Sequence, residues 1–111
     1  SSMTYEETKE IYRQVIEMSN RFELKGKSVP YTSANGYMFS QLNKDGQLGL
    51  RLSEADGEQF KRDHDSDIFK SYGAVMKGYV LIPESVLNNI EVLGAYMDKS
   101  YEYGMSLEPK K

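Results

Sequence analysis

Residues 36–52 read Gly36-Tyr37-Met38-Phe39-Ser40-Gln41-Leu42-Asn43-Lys44-Asp45-Gly46-Gln47-Leu48-Gly49-Leu50-Arg51-Leu52, and this stretch decides the fold. In its second half Leu48, Leu50 and Leu52 alternate with Gln47, Gly49 and Arg51, the period of a half-buried strand. In its first half Met38 and Leu42 flank Ser40 on one face, which leaves Tyr37 and Phe39 for the other. Asn43-Lys44-Asp45-Gly46 between them suits a type I turn closed by a glycine at positive φ. A β-hairpin is therefore predicted. Since a hairpin alone is marginal in water, helices on either side must cover its leucine face.

The bulk composition sets the class. A chain of 111 residues, 39% hydrophobic and 28% charged, fits a single globular domain with a modest core. A net charge of −3 disfavours nucleic-acid binding driven by bulk positive charge. With no cysteine, disulfides, thiolate metal ligands and thiol catalysis drop out. No apolar leader or long apolar run is present, so no membrane association is expected and the cytoplasm is the default location. Ser1-Ser2 before Met3 read as a tag remnant, and residues 108–111 as a frayed tail.

Before the hairpin, Thr4-Tyr5-Glu6-Glu7 has capping-box spacing. A stripe of Ile11, Val15, Met18 and Phe22, widened by Tyr12 and Ile16, predicts an amphipathic helix of five turns ending near Gly26. Glu17 and Arg21 are expected to pair on its outer side. Residues 28–35 predict an edge strand or extended lead-in, because Pro30 cannot donate to a ladder. Asn35-Gly36 then turns the chain into the hairpin, completing a three-stranded meander. Ser53 caps a second, largely exposed helix running to about His64, with Ala55 and Phe60 as its apolar residues.

Residues 78–82 (Gly-Tyr-Val-Leu-Ile) read as a strand, nearly continuous in apolar residues and so central. A shorter strand around Phe69–Tyr72, or an irregular span in its place, is expected before it. Pro83-Glu84 opens a helical turn, and Asn88-Asn89 breaks it and caps the last helix. There Ile90, Leu93, Met97 and Tyr101 form the buried stripe, and Gly104 is placed as the stop. The outcome is an α+β fold in the order helix, three strands, helix, two strands, helix (α-βββ-α-ββ-α), an antiparallel sheet covered by helices.

Residues that could carry chemistry are sparse. Asp63, Asp65 and Asp67 start like a calcium loop, but Ile68 stands where the loop needs glycine and Ala74 where it needs a bidentate Glu. His64 is the only histidine, so neither a triad nor a two-His metal motif is available. Gly73 and Gly78 match no phosphate-loop spacing. Nine tyrosines and four phenylalanines are many for this length. Tyr31, Tyr37, Tyr72 and Tyr79 lie in or beside strands, where they suit core or interface positions better than base stacking in an acidic chain. No cofactor or metal is expected.

The hairpin residues Tyr37-Met38-Phe39 and Gly46 through Leu52, then Phe60, Tyr72-Gly73, Met76-Lys77-Gly78-Tyr79-Val80-Leu81-Ile82-Pro83, and finally Leu93, Tyr96 and Tyr101, resemble the N-terminal domain of the TfoX/Sxy family. The resemblance runs from about residue 5 to 107, and its most specific piece is 76–83. It implies a secretion-chaperone-like α+β fold and a regulatory role without enzymatic activity, since name-giving members regulate competence by assisting a transcription activator. The chain departs from the family in lacking the helical C-terminal domain of full-length regulators and in having Ser33-Ala34-Asn35-Gly36 where many relatives show a Met-Phe-Gly-Gly-like turn.

Three functions follow as expectations. The first is a non-enzymatic protein-interaction or regulatory module with an unknown protein partner or a homodimer, contacted through a sheet edge or Tyr-rich face. The second is small-ligand binding, with weak catalysis at most, in a pocket beside residues 31–39 and 72–79. Tyr31, Tyr37, Arg51, Tyr72, Lys77 and Tyr79 are the candidate ligand or interface residues for these two. The third, direct DNA binding, is suggested by the family resemblance alone and disfavoured by the charge.

Overall fold

The computed structural model describes residues 3–110; Ser1-Ser2, expected to be a tag remnant, and Lys111 lie outside the described residues. Strands β1 (Tyr31–Ala34), β2 (Tyr37–Leu42) and β3 (Leu48–Arg51) form the expected meander. With β6 (Tyr79–Leu81) they make an antiparallel sheet in the order β1-β2-β3-β6. The helices are α1 (Tyr5–Glu17), α2 (Glu54–Asp63), α3 (Glu84–Leu87) and α4 (Ile90–Ser106), and β4 (Lys70–Ser71) with β5 (Ala74–Val75) forms a separate small hairpin. The protein is an α+β fold with a small antiparallel sheet and four helices.

The turns follow the local chemistry. Asn35 and Gly36 both have positive φ, 59° and 85°, as a two-residue hairpin turn requires. In the β2–β3 loop Gly46 sits at φ 79°, and the Asn43 side-chain carbonyl accepts from the amides of Asp45 and Gln47. β1 is an edge strand starting just past Pro30, whose carbonyl accepts from the Leu42 amide.

A bulge changes the predicted faces of β2. Thr32 pairs with Ser40 but Ser33 pairs with Met38, so Phe39 is an extra residue on β2. Phe39 therefore turns to the same side as Ser40 and Leu42, not away from it. Its ring meets Phe22 at 5.2 Å and Tyr101 of α4 at 6.0 Å. Met38 is displaced to the opposite side, where the Gln41 side-chain amide contacts its sulfur.

The core lies between this sheet face and the helices. Leu42, Leu48, Leu50, Leu52, Val80 and Ile82 meet Tyr12, Val15 and Ile16 of α1, Phe60 of α2, and Leu93 and Met97 of α4. Within it the Tyr12 hydroxyl, the Ser40 hydroxyl and the Thr32 hydroxyl form a buried chain, so the polar groups of three elements satisfy one another.

Several expectations need correction. α1 has its capping box but ends at Glu17, not near Gly26. Ser19-Asn20 compete poorly for helix, and the Ser19 hydroxyl accepts from the Arg21 amide in a local turn. Arg21 consequently pairs with Asp98 at 2.8 Å and with Glu102, and Glu17 pairs with Arg13. The expected strand around Phe69–Tyr72 pairs only with β5, through a Tyr72-Gly73 turn with both residues at positive φ.

β6 is an edge strand and not a central one. Its apolar residues are covered instead by α2 on one side and by Phe69 on the other, where the Phe69 and Tyr79 rings stack at 5.8 Å. Its outer edge is partly closed by the Leu81 amide donating to Asp67 and the Ser66 hydroxyl donating to the Leu81 carbonyl. Ala55 is exposed, leaving Phe60 as the buried residue of α2. Gly104 does not stop α4, which continues to Ser106; it faces Ala34 at the close approach of α4 to β1. The chain end is not frayed over 108–110. The Tyr37 hydroxyl donates to the Glu108 carbonyl, the Lys110 amide donates to the Asn35 carbonyl, and the Asn35 side chain donates to the carbonyls of Gly104 and Leu107.

Gly49 on β3 has the Phe69 ring directly over its α-carbon; a β-carbon there would sit 2.4 Å from the ring. Gly57 in α2 has nothing within 4 Å of such an atom. Opposite outcomes are expected in urea denaturation. Gly49→Ala lowers stability by about 1–3 kcal/mol through overpacking, whereas Gly57→Ala raises it by about 0.5–1 kcal/mol through helix propensity. Equal effects at the two sites would contradict the ring-on-backbone contact.

Candidate functional site

The six sequence-predicted residues do not form one site. Tyr31 lies on the β1 edge, where its backbone exchanges hydrogen bonds with Lys25 and its ring rests on Gly26. Tyr72 stands at the turn of the β4–β5 hairpin, with the Lys44 ammonium 5.8 Å from its ring, and does not line the groove that holds Arg51. The predicted pocket beside residues 31–39 and 72–79 is thus divided.

Arg51, Lys77 and Tyr79 do come together. They line a groove of about 510 Å³ with Leu52, Val80 and Tyr103, bounded by Ser53, Glu54, Gly57, Glu58 and Lys61 from the start of α2. Arg51 ends β3 opposite Tyr79 on β6, and its guanidinium reaches past the sheet to lie 5.3 Å from the Tyr37 ring and 5.5 Å from the Tyr103 ring. Tyr37 therefore joins the site by flanking Arg51. The Lys110 ammonium also lies 5.6 Å from the Tyr37 ring.

Tyr103 gave no signal in the sequence. It lies off the Leu93–Met97–Tyr101 stripe, and only the packing of α4 across the sheet brings it to Arg51, 52 positions away in the chain. The Ser53 hydroxyl is committed to capping α2 by accepting from the Asp56 amide.

Tyr79 is a structural as well as a lining residue. Its hydroxyl donates to the Met38 carbonyl at 2.9 Å across the sheet. Burial raises its pKa above the ordinary tyrosine value, opposed by the nearby charge of Arg51. Burial likewise raises that of Tyr12, opposed by hydrogen bonds from Ser40 and Thr32. Neither hydroxyl is disposed to act as a base at neutral pH.

The acidic segment and the histidine are otherwise engaged. Asp63 accepts from the Gln59 side chain and Asp67 from the Ile68 amide. Among the described residues no group of three Asp, Glu or His side chains is placed to hold a metal ion. The His64 ring packs 4.8 Å from Phe60 and 5.8 Å from Tyr96. Among the described residues, no helix is long and apolar enough to cross a membrane.

The raised pKa values of Tyr12 and Tyr79 make stability fall at high pH. The unfolded chain loses those protons near the ordinary tyrosine pKa of about 10, whereas the folded chain retains them. Stability from these groups is thus complete below about pH 10 and declines above it, each group adding a slope that approaches 1.4 kcal/mol per pH unit. Urea midpoints measured from neutral pH to beyond pH 10 check this, with Tyr12→Phe and Tyr79→Phe each flattening the decline. An unchanged slope in both variants would refute it.

No protein-family model matches this chain, and a search of curated proteins finds no significant match to it.

Proposed function

We propose that this chain is a non-catalytic protein-interaction module, and that its contact surface is the β4–β5 hairpin. The observation that carries this reading is the exposure of three large apolar residues within eight positions: Tyr72 at 74%, Ile68 at 56% and Val75 at 51%. Such a cluster is costly to leave in water and is typical of a docking surface. Tyr72 adds to this, because it holds φ 52° at the turn, where glycine or asparagine would sit with less strain.

The hairpin is presented firmly. Phe69 at its base is fully buried over Gly49, the Met76 amide donates to the Phe69 carbonyl, and the Asn43 side chain donates to the Lys70 carbonyl at 2.7 Å. Both outer edges of the main sheet are partly occupied, β1 by Lys25 and β6 by Ser66 and Asp67. Contact through side chains of the hairpin is therefore favoured over strand addition.

The resemblance to the TfoX/Sxy N-terminal domain, resting on the residues quoted for it, supports a regulatory role of this kind and the finer description of the fold as secretion-chaperone-like. By the same likeness, a second copy of the chain is one candidate partner.

A photo-reactive phenylalanine placed at Tyr72 tests the reading in the native host. Discrete adducts are expected from position 72 and not from a control at Lys99 on α4, which is also exposed. A product of twice the chain mass identifies self-pairing; a different mass identifies a second protein. No discrete adduct at 72, or the same adducts from both positions, overturns the proposal. Tyr72→Ser is expected to abolish the contact while changing folding stability by no more than about 0.5 kcal/mol.

A further inference from the structure

The Arg51 groove has a chemistry separate from the hairpin surface, and the argument for it does not rest on that surface. Arg51 is half-buried, with Tyr37 and Tyr103 beside its guanidinium. A guanidinium so flanked leaves its in-plane N–H groups as the recognition edge, a fork that fits two acceptor oxygens at once. Among the described residues that fork has no hydrogen-bond acceptor and no carboxylate within 4 Å. The fork stays open to the groove, where a bound oxyanion would accept from it in charge-assisted hydrogen bonds.

The charges around the groove narrow the ligand. Three cations, Arg51, Lys61 and Lys77, face two carboxylates, Glu54 and Glu58. Lys61 already lies 3.7 Å from Glu58, which leaves Arg51 and Lys77 against Glu54. The surplus is a single positive charge. A monoanion matches it, whereas a phosphate dianion would exceed it in a groove that also carries Glu54 and Glu58. The rings of Tyr79 and Tyr103 and the side chains of Leu52 and Val80 supply apolar wall, and about 510 Å³ accommodates a small ring.

We propose that the groove between the end of β3, the start of α2 and Tyr103 binds a small aromatic monocarboxylate, with its carboxylate on Arg51 and Lys77 and its ring against Tyr79 and Tyr103. The Tyr79 hydroxyl takes no part, because its proton is given to the Met38 carbonyl.

Benzoate is the probe, benzamide its neutral isostere, and inorganic phosphate the competing oxyanion, each titrated to about 10 mM while NMR follows the Arg51 Nε–H and Tyr103 ring signals. Benzoate is expected to shift both saturably, benzamide neither, and phosphate to bind more weakly than benzoate. Arg51→Gln should weaken benzoate binding by about tenfold or more, and Lys77→Gln by roughly two- to fivefold. Should Arg51→Gln disturb folding, the exposed Lys77→Gln variant and the benzamide comparison decide the matter. Absence of saturable benzoate shifts, equal shifts from benzamide, tighter binding of phosphate, or undiminished binding in a folded Arg51→Gln variant would each overturn the assignment.

Discussion

The structure depends on a contact between a ring and a bare backbone: Phe69 lying on Gly49. The leucine face of the sheet has helices to cover it, but a four-stranded sheet has two faces. The reverse face would be left wet at its centre without Phe69, which fills the space that a side chain at position 49 would occupy. By landing there, Phe69 also brings β4 and β5 against the sheet and supplies the stacking partner of Tyr79. The seat of the small hairpin on the sheet and the burial of strand β3 on its reverse side rest on that one glycine.

The bulge at Phe39 has a comparable reach at the opposite end of β2. One extra residue moves an aromatic ring from the reverse face into the core, where it joins Phe22 and Tyr101. Edge-to-face aromatic contacts of this kind add about 0.5–1.5 kcal/mol each beyond the area they bury. The same shift moves Met38 to the reverse side, and its carbonyl receives the Tyr79 hydroxyl. Tyr37, just before the bulge, stands beside the Arg51 guanidinium. Groove and core thus share an origin in a single irregular rung.

Much of this fold is legible from short-range chemistry. The meander, both helix caps of the first half, the Asn35-Gly36 turn and the Asn89 cap follow from residues within a few positions of one another. The misreadings come from interactions between distant residues. Leu-Gly-Leu alternation looks half-exposed because Phe69 is twenty positions away, and Gly104 looks like a stop because Ala34 is not visible beside it. Residues 78–82 look central because burial by α2 and by Phe69 is indistinguishable, in composition, from burial between two strands. Three of the six candidate site residues line one groove with Tyr37 beside them, while Tyr31 and Tyr72 lie elsewhere. Residue type identified the polar and aromatic groups, but only the crossing of α4 over the sheet adds Tyr103 and so assembles the Arg51 site.

The Asn35 side chain also ties together two parts of the fold that are distant in sequence. Its amide donates to two carbonyls at the end of α4, those of Gly104, which also accepts from the Leu107 amide, and of Leu107. Asn35 presents that amide only when it occupies the left-handed turn joining β1 to β2. The first turn of the sheet and the end of the final helix therefore stabilise each other, so a change at position 35 is felt some seventy residues further along the chain.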